Sequence, residues 1–329
     1  MRVLVTGMGG ELGTRVAQLL EARSDVSDIM GVDFVPPRRR LRRSGFRRID
    51  PRERDRLEAF VEEYAPEAVI HFGVYEPASR MSPKRAAERT HAATVGALRA
   101  AARGGNLERV VVRSGLVVYG RGRGRAQVPD ESCPVAPNSE YGRSCLEVET
   151  VAAGLGGRLD IPVAALRMAT VVGPHVPSPL GRVLRLPAVP VPMLSDPPVS
   201  LLGQDDAATA MVEACMQGYN GPLNVVGPGA VTPYQVARLG GRIPVPVFGP
   251  GWVAAVKACE VAGAPVPDHV WSLLRDGETG DGGELTARLG MTNLVPTQHL
   301  CAALYEWGSV VPLRPGTDIA AIGDAGGGS

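Results

Sequence analysis

The chain has 329 residues, 44% of them hydrophobic, and a formal net charge of +1. This composition suits a soluble globule of one large or two medium domains and excludes a disordered protein. Near-neutral charge gives the molecule no general attraction for polyanions, and no apolar run approaches the ~18 residues needed to span a bilayer.

The first strand is expected at residues 3–5. It begins so early that it leaves no room for a signal peptide, so the expected location is cytoplasmic. The strand runs into the turn Gly7-x-x-Gly10-x-x-Gly13, followed by a helix over 13–23. Glycine lets backbone amides approach a pyrophosphate, and the helix N-terminus behind them favours its charge. A second strand at 29–32 ends on Asp33, twenty residues past Gly13. A carboxylate there can accept both hydrogen bonds of an adenosine ribose diol and repels a 2′-phosphate. A dinucleotide is therefore the expected ligand, with NAD preferred over NADP.

Seven arginines follow within residues 38–48. Only Phe46 interleaves with them, so they read as a solvated loop rather than a nucleic-acid platform. Strands at 68–71, 110–112 and 163–166 then alternate with helices at 52–64, 84–103 and 139–155. Buried β-branched strands separated by helices specify an α/β fold with a doubly wound parallel sheet. Residues 174–198 carry eight prolines, which exclude a long helix and suggest an extended covering segment. Regular signals return with a strand at 199–202, a helix at 204–217 and a strand at 223–226. Helices are expected at 233–239, 252–261 and 297–307, before a glycine-rich tail at 316–329. The five cysteines are widely spaced without a Cys-x-x-Cys pair, and the five histidines show no ligand spacing. We read reduced thiols, with neither a disulfide framework nor a metal site. Of the histidines, His175 falls nearest the expected cleft mouth.

In order and spacing these motifs resemble the extended short-chain dehydrogenases/reductases, in their NAD-dependent epimerase/dehydratase branch. The resemblance runs over roughly residues 1–312. It rests on the glycine turn, Asp33, Asp50, His71-Phe72-Gly73, Ser114 through Val118-Tyr119-Gly120, Tyr141, Leu166-Arg167 through Gly173-Pro174, Asp205-Asp206-Ala207, and Leu223 through Gly227. It implies a Rossmann domain over 1–173, to which 199–226 return, and a substrate-binding domain from 174–198 and 227–315. It also implies a homodimer packed through the helices at 84–103 and 139–155, and a nucleotide sugar or similar polar alcohol as substrate. The expected cofactor contacts are Gly7, Gly10, Glu11, Leu12 and Gly13 at the diphosphate and Asp33 at the ribose. Asp50 and Pro51 fall near the adenine, and Phe72, Gly73 and Val74 near the nicotinamide-side ribose. Glu11 is unusual, because a carboxylate beside a diphosphate repels unless it turns away.

The family's chemistry rests on a serine or threonine, a tyrosine acting as acid/base, and a lysine four residues later on the same helix face. Tyr141 is present, but Cys145 occupies the lysine position, where it is counted with the cofactor contacts. Gly115 occupies the hydroxyl position, with Ser114 beside it on the opposite strand face. Ala93 and Thr170 replace asparagines. Arg143 lies about 200° around the helix from Tyr141, so it cannot supply the missing charge. A phenol without a cation is only about a thousandth ionised at neutral pH. Two readings follow: an atypical enzyme using Tyr141 with Ser114 recruited, or an NAD-binding sensor or scaffold without turnover. Arg182, Arg185 and Arg242 are candidates for a substrate diphosphate clamp, against the plainer reading of surface arginines.

Overall fold

The computed structural model describes residues 1–77, 81–122, 124–173, 176, 179–265, 267–301 and 304–305. His175 and the tail at 316–329 lie outside the described residues, as does most of the stretch expected to be helical beyond 301.

The first half alternates as the apolar pattern requires: β1 (Arg2–Thr6), α1 (Glu11–Glu21), β2 (Asp28–Asp33), β3 (Gly45–Arg48), α2 (Arg54–Tyr64), β4 (Ala68–His71), α3 (Pro83–Arg103), β5 (Arg109–Gly115), α4 (Glu140–Leu159) and β6 (Val163–Met168). Ser82 caps α3 by accepting from the Arg85 amide, and Ser139 caps α4 by accepting from Gly142, each satisfying a donor the helix leaves open. Further on come β7 (Thr170–Val172), α5 (Pro179–Leu184), β8 (Ala188–Pro192), β9 (Leu201–Gly203), α6 (Gln204–Gln217) and β10 (Gly221–Val225). The remaining elements are α7 (Pro233–Leu239), β11 (Ile243–Val247), α8 (Gly251–Val261), α9 (Asp268–Asp276), α10 (Gly283–Leu289) and α11 (Thr297–Leu300).

Seven parallel strands in the order β10-β6-β5-β4-β1-β2-β3 form the central sheet. The order reverses between β1 and β4, which opens a crevice at the strands' carboxyl ends. Strands buried on both faces supply the main core: Val3, Leu4, Val5, Val69, Ile70, Val111 and Leu166 have essentially no exposure. A second apolar cluster gathers Val183, Leu184, Val189, Leu201, Val236, Trp271 and Leu274 from α5, β8, β9, α7 and α9. Among the described residues no helix is long and apolar enough to cross a membrane.

His71 ends β4 in full burial, its ring held by the hydroxyls of Thr6 at 2.7 Å and Thr94 at 3.0 Å. Desolvation holds its pKa down at about 4, against 6.5 for the free side chain. Between those values the unfolded chain binds a proton that the native state refuses, so stability rises with pH across that window. Acidification from pH 7 to 4 is therefore expected to cost roughly 3 kcal/mol through this group alone. Denaturant titrations of wild type and His71→Gln at several pH values should show that limb flattened in the variant. Parallel curves would refute the assignment.

Candidate active site

The crevice begins where β1 turns into α1. Gly7 has φ +75°, a conformation L side chains rarely adopt, and its amide donates to the Val32 carbonyl at 2.8 Å. No side chain caps α1 at Gly10. The first intrahelical bond runs from the Thr14 amide to Gly10, so the amides of Glu11, Leu12 and Gly13 point ahead of the helix as open donors. Asp33 closes the far side of the turn, its carboxylate accepting from the amides of Gly9 at 3.0 Å and Phe34 at 2.7 Å. Burial pushes the Asp33 carboxyl up against the pull of those amides.

Glu11 is buried, and its carboxylate lies 3.5 Å from the Arg38 guanidinium. The arginine run thus enters the crevice through one member, which offsets the carboxylate behind the open amides. Asp50 lies further out. Arg52 beside it, at 2.7 Å, holds its carboxyl down at about 2. Pro51 and Gly73 line a small adjoining crevice, whereas Phe72 and Val74 line the main one. At the same end the Phe34 and Tyr75 rings lie 6.3 Å apart, with the Arg89 guanidinium 5.3 Å from the first and 6.0 Å from the second. Sequence reasoning did not find this cation–aromatic group.

From the glycine turn a cleft of about 400 Å³ runs to the tips of β5 and β6, where Gly115, Tyr141 and Thr170 line it. Tyr141 sits in the first turn of α4, with Cys145 one turn on, both buried. Desolvation drives the phenol well above its ordinary range and the thiol up to about 12, so both are neutral at physiological pH. Ser114, by contrast, turns away from the cleft. Its hydroxyl donates to Glu149 at 2.5 Å, on the far side of β5.

The group two residues before Gly115, on the same strand face, is Arg113. It lines the cleft, and its positive charge opposes the upward push on Tyr141. The reading of the sequence sought a cation along the helix that carries Tyr141 and missed this one, although strand alternation placed it. Two further groups were missed. His269, in α9, lies with its ring 4.8 Å from that of Tyr141, and its Nε2 is 3.0 Å from Glu76 Oε1. Arg121 donates to the His269 carbonyl at 2.6 Å and pairs with Glu278. Among the described residues, Arg182, Arg185 and Arg242 do not line the cleft, and no cluster of three potential metal ligands occurs.

The model of the NAD dependent epimerase/dehydratase family matches residues 3–217. Two uncharacterized proteins, Mb0513 of Mycobacterium bovis and Rv0501 of Mycobacterium tuberculosis, are each 31% identical over 263 residues, covering 76% of this chain and 68% of theirs. Among solved structures, UDP-glucose 4-epimerase of Thermotoga maritima with UDP-glucose superposes with TM-score 0.68 at 19% identity, covering 93% of this chain and 96% of its own. UDP-glucuronic acid 4-epimerase of Bacillus cereus, in complex with UDP-glucuronic acid and NAD, gives TM-score 0.71 at 19% identity over 93% and 98%. WbmH of Bordetella bronchiseptica in complex with NAD+ gives 0.71 at 19% over 94% and 99%.

Proposed function

The chain belongs to the NAD dependent epimerase/dehydratase family, and from that premise we propose that it binds NAD along this cleft and acts there on a polar alcohol of the nucleotide-sugar class. The observation that carries the reading is the uncapped start of α1 beside Asp33. The amides of Glu11, Leu12 and Gly13 suit a diphosphate, and the Asp33 carboxylate suits a ribose diol. Bound NAD would supply a hydride acceptor at the end lined by Arg113 and Tyr141.

NAD is preferred over NADP on charge. Among the described residues no cation lies within ion-pair distance of Asp33, and Arg38, the member of the 38–48 arginine run that lines the cleft, is paired with Glu11. A 2′-phosphate would meet a carboxylate there without compensation. The second cluster, around Trp271 and Leu274, closes the cleft from the other side and would carry the sugar-binding surface.

Titration calorimetry is expected to show saturable NAD binding and NADP binding at least about tenfold weaker. Asp33→Ala removes charge-assisted bonds worth ~1.5–3 kcal/mol and should weaken NAD about 10- to 100-fold. No heat from either dinucleotide would end the proposal.

A second reading keeps the cofactor and drops turnover. It is favoured by Tyr141 and Cys145, neutral groups where the family's chemistry needs an ionisable phenol and a lysine. Interconversion of UDP-glucose and UDP-galactose, with turnover of UDP-glucuronic acid, separates the two readings.

A further inference from the structure

The charges lining the cleft are nearly all matched. Glu11 faces Arg38, Glu278 faces Arg121, and Asp33 is held by backbone amides. Two features remain. Arg113 has no carboxylate within ion-pair distance among the described residues, and its Nε has no hydrogen-bond partner. The other is the pair formed by Glu76, just after β4, and His269, in the first turn of α9, 193 residues apart in sequence.

His269 is only 5% exposed, yet it lines the cleft. Its Nε2 contacts the Glu76 carboxylate, which can only accept, so the ring proton belongs on Nε2, while the Nδ1 lone pair has Asp268 Oδ1 4.0 Å away, beyond hydrogen-bond reach. Nδ1 is buried and without a hydrogen-bond partner. The Arg121 guanidinium fixes the backbone beneath the ring through the His269 carbonyl, and Tyr141 packs against its face. An imidazole oriented by a carboxylate, with its second nitrogen unused in a cleft wall, is the arrangement by which enzymes make a general base.

We propose that the Glu76–His269 pair is the proton-transfer unit of this cleft, with Arg113 as the cation that offsets charge on the substrate oxygen. The inference rests on the reading of the cleft as an NAD site. In the oxidising direction the substrate O–H bond breaks and its proton goes to His269 Nδ1. NAD held by the amides of Glu11, Leu12 and Gly13 and by Asp33 would supply the two-electron acceptor for the carbinol hydride, leaving that carbon as a carbonyl. The imidazolium so formed faces Glu76, and the reverse transfer returns hydride and proton. Glu76 is a positioning residue here, acting through the ring it holds.

The first test does not need turnover. Side-chain nitrogen NMR of the NAD-loaded protein should show, besides the buried His71 whose Nε2 donates to Thr94, a second histidine signal locked with its proton on Nε2. The signal should be absent in His269→Asn and should relax to a tautomer mixture in Glu76→Gln. A mixture already present in wild type would overturn the assignment. The second test measures interconversion of UDP-glucose and UDP-galactose, and turnover of UDP-glucuronic acid. His269→Asn should lower kcat about 100-fold or more, and Glu76→Gln about tenfold or more with KM unchanged. Added imidazole should partly restore His269→Ala, a recovery that a merely structural role would not give. Full kcat in His269→Asn overturns the proposal, as does a wild type that binds NAD but turns over none of these sugars. A wild type that binds no NAD by calorimetry instead overturns the cofactor reading beneath it.

Discussion

Gly13→Ala is expected to weaken NAD binding by about 100-fold or more and to lower the thermal midpoint as well. A Cβ at this position would stand 2.2 Å from the Gly7 carbonyl oxygen and 2.7 Å from the Met8 Cα. Both are backbone atoms of the turn, so no side chain can swing aside. The first turn of α1 must move away from β1, at an overpacking cost of ~1–3 kcal/mol. That movement displaces the open amides of Glu11 and Leu12 from the geometry a diphosphate requires. Gly10→Ala separates the two effects. Its Cβ would meet only the Gly7 oxygen, at an ordinary 3.5 Å, so the variant should fold with wild-type stability. Calorimetry and thermal unfolding on the two variants distinguish a damaged fold from a damaged cradle. Wild-type NAD affinity in Gly13→Ala would show that the turn does not hold the diphosphate.

The turn was legible in the sequence because its chemistry is local: glycine spacing, the strand before it and Asp33 beyond are all fixed within a few tens of residues. The core strands were legible for a related reason, since burial on both faces leaves a continuous β-branched run. The proline-rich stretch was read only in part. Its composition excludes a long helix, and α5 is indeed short, but β8 forms within it. The register explains how. In β8 against β11, Pro244 stands opposite Val189, Pro190 opposite Val245, Pro246 opposite Val191, and Pro192 opposite Val247. With proline at every second position of an edge pair, the missing donors can face away from the partner strand. The weak Gly45–Arg48 strand gave no signal of its own and is recruited by β2. In the site, Arg113 was within reach of the alternation rule. His269 and Glu76 were not, because nothing local marks α9 and only the closing of the second cluster over the sheet brings the two together.

Arg167→Met should lower the free energy of unfolding by ~3–5 kcal/mol, the usual cost of leaving one charge of a buried pair without its partner. Arg167 on β6 and Glu149 on α4 are 6% and 8% exposed, and the guanidinium meets the carboxylate through Nη2 at 2.8 Å and Nε at 3.1 Å. Ser114 on β5 donates to the same carboxylate. Nη1 donates to the Tyr119 hydroxyl at 2.9 Å, and that hydroxyl donates to Asn224 on β10 at 2.8 Å. The network therefore ties three strands and a helix behind the reactive end. It also explains why Ser114 is unavailable to the cleft: its hydroxyl completes the hydrogen bonding of a buried carboxylate. Removing both charges with Arg167→Met and Glu149→Leu should cost less than Arg167→Met alone, because no isolated charge then remains. Guanidinium unfolding of the two single variants and the double variant measures the coupling. Additive losses would mean that the pair is dispensable packing. Strong coupling would mean that Ser114 and Arg113, adjacent on one strand and facing opposite ways, are divided between holding the fold and serving the cleft.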